Sequence, residues 1–146
     1  MYKYFKILTE DDCLAFIVDE IFGKCRGYPV GKWSKVIHLL QQKFETIIGI
    51  IDNDNYQEMY LIRNNWELEK NLSNVEANSE IKVYSKLIKK EKDNAIKKYI
   101  IVIDPDCEKF LKCKDKIREK NEKRTDTDKK KLDKIREVIN KIINSQ

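Results

Sequence analysis

Thr46-Ile47-Ile48-Gly49-Ile50-Ile51-Asp52-Asn53-Asp54-Asn55 is the stretch that decides the fold. Its first six residues form a continuous apolar run with neither helical nor alternating period. That pattern belongs to a strand buried on both faces of a parallel sheet. The run then stops abruptly in acids and amides. In an open parallel sheet the carboxyl ends of the strands share one edge, and ligands bind in the crevice there. Asp52 and Asp54 are thereby placed at a candidate site.

Two further strand patterns end in the same way. Tyr2 to Thr9, rich in aromatic and branched residues, predicts a strand that runs into Glu10-Asp11-Asp12. Tyr99-Ile100-Ile101-Val102-Ile103 predicts another central strand, followed by Asp104-Pro105-Asp106-Cys107-Glu108. Between them, Leu14, Phe16, Ile17, Ile21 and Phe22 keep helical spacing, as do Trp33, Val36, Ile37 and Leu40. Gly23 is a plausible helix stop, and Gly27 to Gly31 reads as a turn with a short strand. Met59-Tyr60-Leu61-Ile62 and Ile81-Lys82-Val83-Tyr84 are expected as strands, and Trp66 to Leu72 as a short helix. Pro105 suits a helix start, with Phe110, Leu111 and Ile117 as its core face. Thr125-Asp126-Thr127-Asp128 is an N-cap cluster ahead of Leu132, Ile135, Ile139, Ile142 and Ile143. The expected architecture is α/β: a central, mostly parallel sheet of Rossmann-like type with helices on both faces, plus a basic amphipathic C-terminal helix.

The 146 residues suit one domain, with a core over about 3–112 and a helical extension over about 113–146. Hydrophobic residues make up 41% and charged residues 38%, which predicts a thin core under a heavily solvated surface. The net charge of +5 is unevenly spread: residues 109–146 carry fourteen Lys/Arg against seven Asp/Glu. That excess is either an electrostatic footprint for nucleic acid or a solvated helical face. No run of about twenty apolar residues occurs, and the N-terminus lacks a signal-peptide pattern, so a cytoplasmic protein without membrane contact is expected. Cysteines 13, 25, 107 and 113 match no zinc spacing and predict reduced thiols.

Clustered carboxylates repel one another unless a cation sits among them. A hard divalent ion with oxygen ligands answers that need, and Mg²⁺ is usually held by one or two carboxylates with water and substrate phosphate. Several short motifs carry a resemblance in the same direction. Lys6-Ile7-Leu8-Thr9-Glu10-Asp11-Asp12 resembles the strand-Glu signature of Toprim domains, and Ile51-Asp52-Asn53-Asp54 resembles their D-x-D. Gly31-Lys32-Trp33-Ser34-Lys35-Val36 resembles a G-G-W-x-x-V stretch of Toprim domains attached to some OLD-like ATPases. Asp104-Pro105-Asp106-Cys107-Glu108-Lys109-Phe110-Leu111 resembles the N-P-x-x-E-x-W-L motif of RloB-like and related small Toprim proteins. The likeness covers roughly residues 3–112.

The resemblance implies a metal-dependent nuclease. Glu10 would be general base or metal ligand, Asp52 and Asp54 would hold Mg²⁺ or Mn²⁺, and Glu108 would be a further acid at the site edge. Lys32 and Lys35 would contact phosphate or stand as ordinary exposed helix lysines. The setting implied is phage defence or a toxin, and the partners are DNA or RNA with a separate ATPase or an antitoxin-like protein. Departures fall beside the key acid: Asp11 replaces the usual Gly, Cys13 stands where a further acid is common, and Val30 stands for the first Gly of G-G-W.

Two other readings stay open. One is a Toprim-like binding or regulatory module without activity. The other is a phosphoacceptor receiver domain built on Asp11, Asp12 and Asp52, although the last clear strand ends in Asp104-Pro105-Asp106 with no lysine at that place. His38 is the only histidine, which leaves a triad hydrolase little support. Asp11, Asp12 and Asp106 read chiefly as helix caps, and Asp12 is the better spare ligand.

Overall fold

The computed structural model describes residues 5–42, 45–53, 56–73, 80–89, 95–104 and 124–145. Six strands form one sheet: β1 (Ile7–Thr9), β2 (Gly27–Pro29), β3 (Ile48–Asp52), β4 (Glu67–Leu68), β5 (Glu80–Lys89) and β6 (Ala95–Asp104). Among the described residues four helices accompany them: α1 (Asp12–Phe22), α2 (Trp33–Gln42), α3 (Gln57–Arg63) and α4 (Asp126–Asn144). The spatial order is β2-β1-β3-β6-β5-β4. The pairs β2–β1, β1–β3 and β3–β6 are parallel, whereas β6–β5 and β5–β4 are antiparallel. The sheet is therefore mixed, with three of its five strand pairs parallel, so the expectation of a mostly parallel sheet holds with an antiparallel addition at one edge. The cause is the long β5–β6 hairpin, whose ten-residue strands pair from Glu80↔Asp104 to Lys89↔Ala95.

Why the parallel half forms is plain from its residues. Every residue of β1 and β3 is buried, so each needs apolar neighbours on both faces. One face packs Leu14, Ile17 and Val18 of α1 and Leu132, Ile135, Val138, Ile139 and Ile142 of α4 on Ile7, Ile48, Ile50 and Ile101. The other packs Val36, Ile37 and Leu40 of α2 and Leu61 of α3 on Leu8, Ile51, Ile100 and Val102. Helices thus cover both faces, as expected.

Two glycines mark close approach. A Cβ on Gly49 would lie 2.6 Å from Val36 Cγ1, so the bare strand lets α2 sit down on β3. A Cβ on Gly27 would lie 2.7 Å from both Cα and O of Ala15, so β2 runs against the backbone of α1. The turn between α1 and β2 is held by Asp19, whose Oδ1 accepts from Arg26 N (2.9 Å) and Gly27 N (2.8 Å).

Other expectations change. Met59 to Ile62 belongs to helix α3, not to a strand. Trp66 to Leu72 contains the short strand β4 where a helix was expected. The proposed helix after Pro105, with Phe110, Leu111 and Ile117, lies outside the described residues. No helix among the described residues is long and apolar enough to cross a membrane.

Candidate functional site

Parallel register sets the site. Thr9 lies beside Ile50, and Asp52 beside Ile103, so the ends of β1, β3 and β6 lie along one edge. Glu10 is the first residue beyond β1. Its amide donates to Ile50 O (3.2 Å), and its carbonyl accepts from Gly31 N (2.9 Å). The backbone at Glu10 is thus pinned to β3 on one side and to the start of α2 on the other.

The side chains follow. Asp52 closes β3 and is only 6% exposed. Its amide donates to Glu10 Oε1 at 3.3 Å. Asp11 caps α1 with extended backbone, and its Oδ1 accepts from Leu14 N at 3.0 Å. Thr9 Oγ1 donates to Asp11 O at 3.1 Å and tightens the same corner. Glu10, Asp11 and Asp52 each offer a carboxylate oxygen, and these three atoms lie within 4.8 Å of one another. The donor set is all hard oxygen, so the cluster could hold a divalent ion of the Mg²⁺ type.

Of the residues singled out in the sequence, the fold brings Glu10 and Asp52 together, although 42 positions separate them. Asp54, Asp106 and Glu108 lie outside the described residues. Asp11, read from the sequence chiefly as a cap, is both a cap and the third member of the cluster. The signal for that double role was available: a cap aims one oxygen at the helix amides and leaves its carboxylate at the strand end. Lys32 and Lys35 are exposed at the start of α2, directly after Gly31. His38 is exposed on the same helix.

A second polar cluster adjoins the acids and had no clear sequence signal. Asn53 Nδ2 donates to Glu58 Oε2 (2.9 Å) at the start of α3. Tyr84 Oη donates to Glu58 Oε1 (2.7 Å), and Lys82 Nζ lies 3.1 Å from the same oxygen. Burial, then the Glu58 carboxylate, push the Tyr84 phenol above its ordinary range. The group stays protonated and tethers α3 to β5.

Two features lie away from this edge. Arg124, just ahead of α4, bonds Glu20 at 2.8 Å, near the end of α1 remote from Asp11. The first turn of α4, with Lys129 and Lys130, starts on that far side. A cleft of about 400 Å³ opens beside Glu69, Ser85 and Lys97, toward the start of β6. There Lys97 pairs with Glu69 at 2.7 Å, and Ser85 Oγ donates to the same carboxylate. The bond to Lys97 holds the Glu69 carboxyl below its usual range, and the bond to Glu69 raises Lys97.

Cysteine chemistry departs from the expectation of reduced thiols. Cys13, in the first turn of α1, is disulfide-bonded, while Cys25 is free and exposed. The partner of Cys13 lies outside the described residues.

No protein-family model matches the chain, and no curated protein or solved structure is significantly similar to it.

Proposed function

We propose that this chain is a Toprim-like, divalent-metal-dependent hydrolase of nucleic-acid phosphodiesters. The observation that carries the reading is the convergence of Glu10, Asp11 and Asp52 oxygens within 4.8 Å at the carboxyl edge of the sheet. Three hard donors from two strand ends fit Mg²⁺ or Mn²⁺ and leave positions for water and phosphate. A metal bound there would polarise the scissile phosphate and lower the pKa of a bound water. Asp52 and Asp11 would hold the ion, Glu10 would hold it or accept a proton from water, and Lys32 and Lys35 would meet phosphate. Asp54 and Glu108 enter through the resemblance alone. So do the phage-defence or toxin setting and a separate ATPase or antitoxin-like partner. A cytoplasmic location belongs to the same proposal, and there the thiol pool would reduce the Cys13 disulfide.

The test is incubation with end-labelled DNA and RNA, single- and double-stranded, in Mg²⁺, in Mn²⁺ and in chelator. Metal-dependent cleavage that Glu10→Gln abolishes supports the proposal, since the amide keeps the shape but cannot accept a proton. A metal-dependent rise in melting temperature without any cleavage would move the protein to the alternative reading, a non-catalytic Toprim-like binding module. Absence of both removes the metal site itself.

A further inference from the structure

The surface beside the acids has a composition that hydrolysis alone does not require. Helix α3 has only two buried residues, Gln57 and Leu61. Tyr56, immediately before it, is 73% exposed, and Tyr60 is 40% exposed. Tyr56, Tyr60 and Arg63 fall at i, i+4 and i+7, which aligns them on one helical face. The backbone bond from Tyr60 N to Tyr56 O (3.0 Å) continues that spacing through Tyr56. Trp33 of α2 meets the Tyr60 ring edge-to-face, with centroids 5.3 Å apart and planes at 76°. The three rings therefore form a bent shelf across two helices.

The shelf borders the acids through the backbone. Trp33 stands two residues after Gly31, whose amide bonds Glu10 O at 2.9 Å. Tyr56 stands four residues after Asp52, so their Cα atoms are at most about 15 Å apart. Lys32 and Lys35 lie near Trp33 in the chain and Arg63 shares the Tyr60 face; all three are exposed, and none of them makes an ion pair with a described residue. Rings interleaved with uncommitted cations next to a carboxylate cluster differ from an aliphatic protein-binding patch. Aromatic faces stack on unpaired bases, and cations track the backbone that links them. A duplex keeps its bases stacked inside and offers such a shelf only its edge.

Building on the proposed nuclease reading, we infer that Trp33, Tyr56 and Tyr60 form a stacking platform that selects single-stranded nucleic acid and leads it to the acids. Duplex would bind only through the cations. Single strands would bind without metal, because neither stacking nor the cations depend on the carboxylates.

The experiment is fluorescence anisotropy with a labelled 12-nucleotide single strand and its duplex, in chelator, with the full chain. The single strand should bind more tightly than the duplex. Base stacking on one ring contributes roughly 5- to 150-fold in affinity, so Tyr56→Ala should weaken single-strand binding by about tenfold. Tyr56→Phe, which keeps the ring, should bind as wild type. Tyr56 is largely solvent-exposed, so thermal melts of both variants should match wild type and exclude misfolding. Tyr60→Leu, which keeps an apolar contact to Trp33, should also weaken the single strand more than the duplex. Equal affinity for single strand and duplex, or unchanged binding in Tyr56→Ala, overturns the inference. So does a concentration-dependent dimer in sedimentation that Tyr56→Ala disperses while oligonucleotide binding persists, because the shelf is then a protein interface. Because every arm is run without metal, the platform can fail while metal-dependent cleavage survives. Ring-dependent binding can equally survive a failure of the metal site.

Discussion

Asp52→Asn should have opposite effects with and without metal. Three carboxylate oxygens within 4.8 Å of one another repel. Two unit charges at that separation interact by about 3.5 kcal/mol at an effective dielectric of 20, and by about 0.9 kcal/mol in water. Asp52 is buried, but Glu10 and Asp11 are partly solvated, so each pair falls between those limits. Neutralising Asp52 removes two such pairs. Its amide bond to Glu10 is a backbone bond and survives the substitution. After discounting for solvation and for the poorer acceptor strength of an amide, the variant should be more stable than wild type in chelator by about 1–3 kcal/mol. For a chain of this size that raises Tm by roughly 3–10 °C. Wild type should gain about 2.7 kcal/mol at a metal concentration a hundredfold above Kd, and the variant should gain little. Melts by circular dichroism in EDTA and in a Mg²⁺ or Mn²⁺ titration measure both arms. If Asp52→Asn melts below wild type in EDTA and wild type shows no metal-dependent shift, the cluster is a protein-bonded structural corner, and the reasoning fails.

Two further perturbations test the scaffold. Lys98 is fully buried in β6 and donates to Thr46 O, and burial pulls its pKa from 10.5 to about 8 despite the nearby charge of Glu45. The folded state therefore releases this proton before the unfolded chain does, so stability should rise from about pH 8 to 10.5, by up to about 3 kcal/mol. It is lost again as pH falls through 8. The difference between wild type and Lys98→Met in urea midpoints across that range isolates the effect, and a pH-independent difference would refute it. Gly27→Ala places a methyl 2.7 Å from backbone atoms of Ala15, which no rotamer change can relieve, so chemical denaturation should show a loss of about 1–3 kcal/mol or more. An unchanged midpoint would mean that β2 and α1 move apart freely.

Much of the parallel half was legible because burial leaves a strong trace. The isoleucine run before Asp52 and the run Tyr99 to Ile103 have to be strands covered on both faces, and they are. The strand expected over Tyr2 to Thr9 is described from Ile7 to Thr9, and helices α1 and α2 fall where their apolar stripes place them. The antiparallel half was harder to read. Half-buried Lys86 and exposed Lys89 continue β5 past Tyr84, so only its first part stood out. Met59-Tyr60-Leu61-Ile62 is a short apolar run, and such runs do not distinguish strand from helix by period. In the fold only Leu61 of the four is buried, so the apolar character of the others reflects surface composition, not a core. Asp11 reads from the sequence as a cap because it opens the α1 pattern, and only the fold shows that its carboxylate also lies beside Glu10 and Asp52.

The acid corner is preorganised by the same bonds that make the fold. Glu10 Oε1 takes the amide of Asp52, and Asp11 Oδ1 takes the amide of Leu14. Each bond orients the carboxylate through the backbone, not through other side chains. Glu10 itself is fixed by β3 and by Gly31, so its position depends on the pairing of β1 with β3 and on the entry to α2. The bond from Gly31 to Glu10 also ties the entry of α2, and with it Trp33, to the acid corner. A change that loosens β1 from β3 should therefore displace the carboxylates and the aromatic shelf together. A change confined to the β5–β6 hairpin near Lys97 should leave both in place.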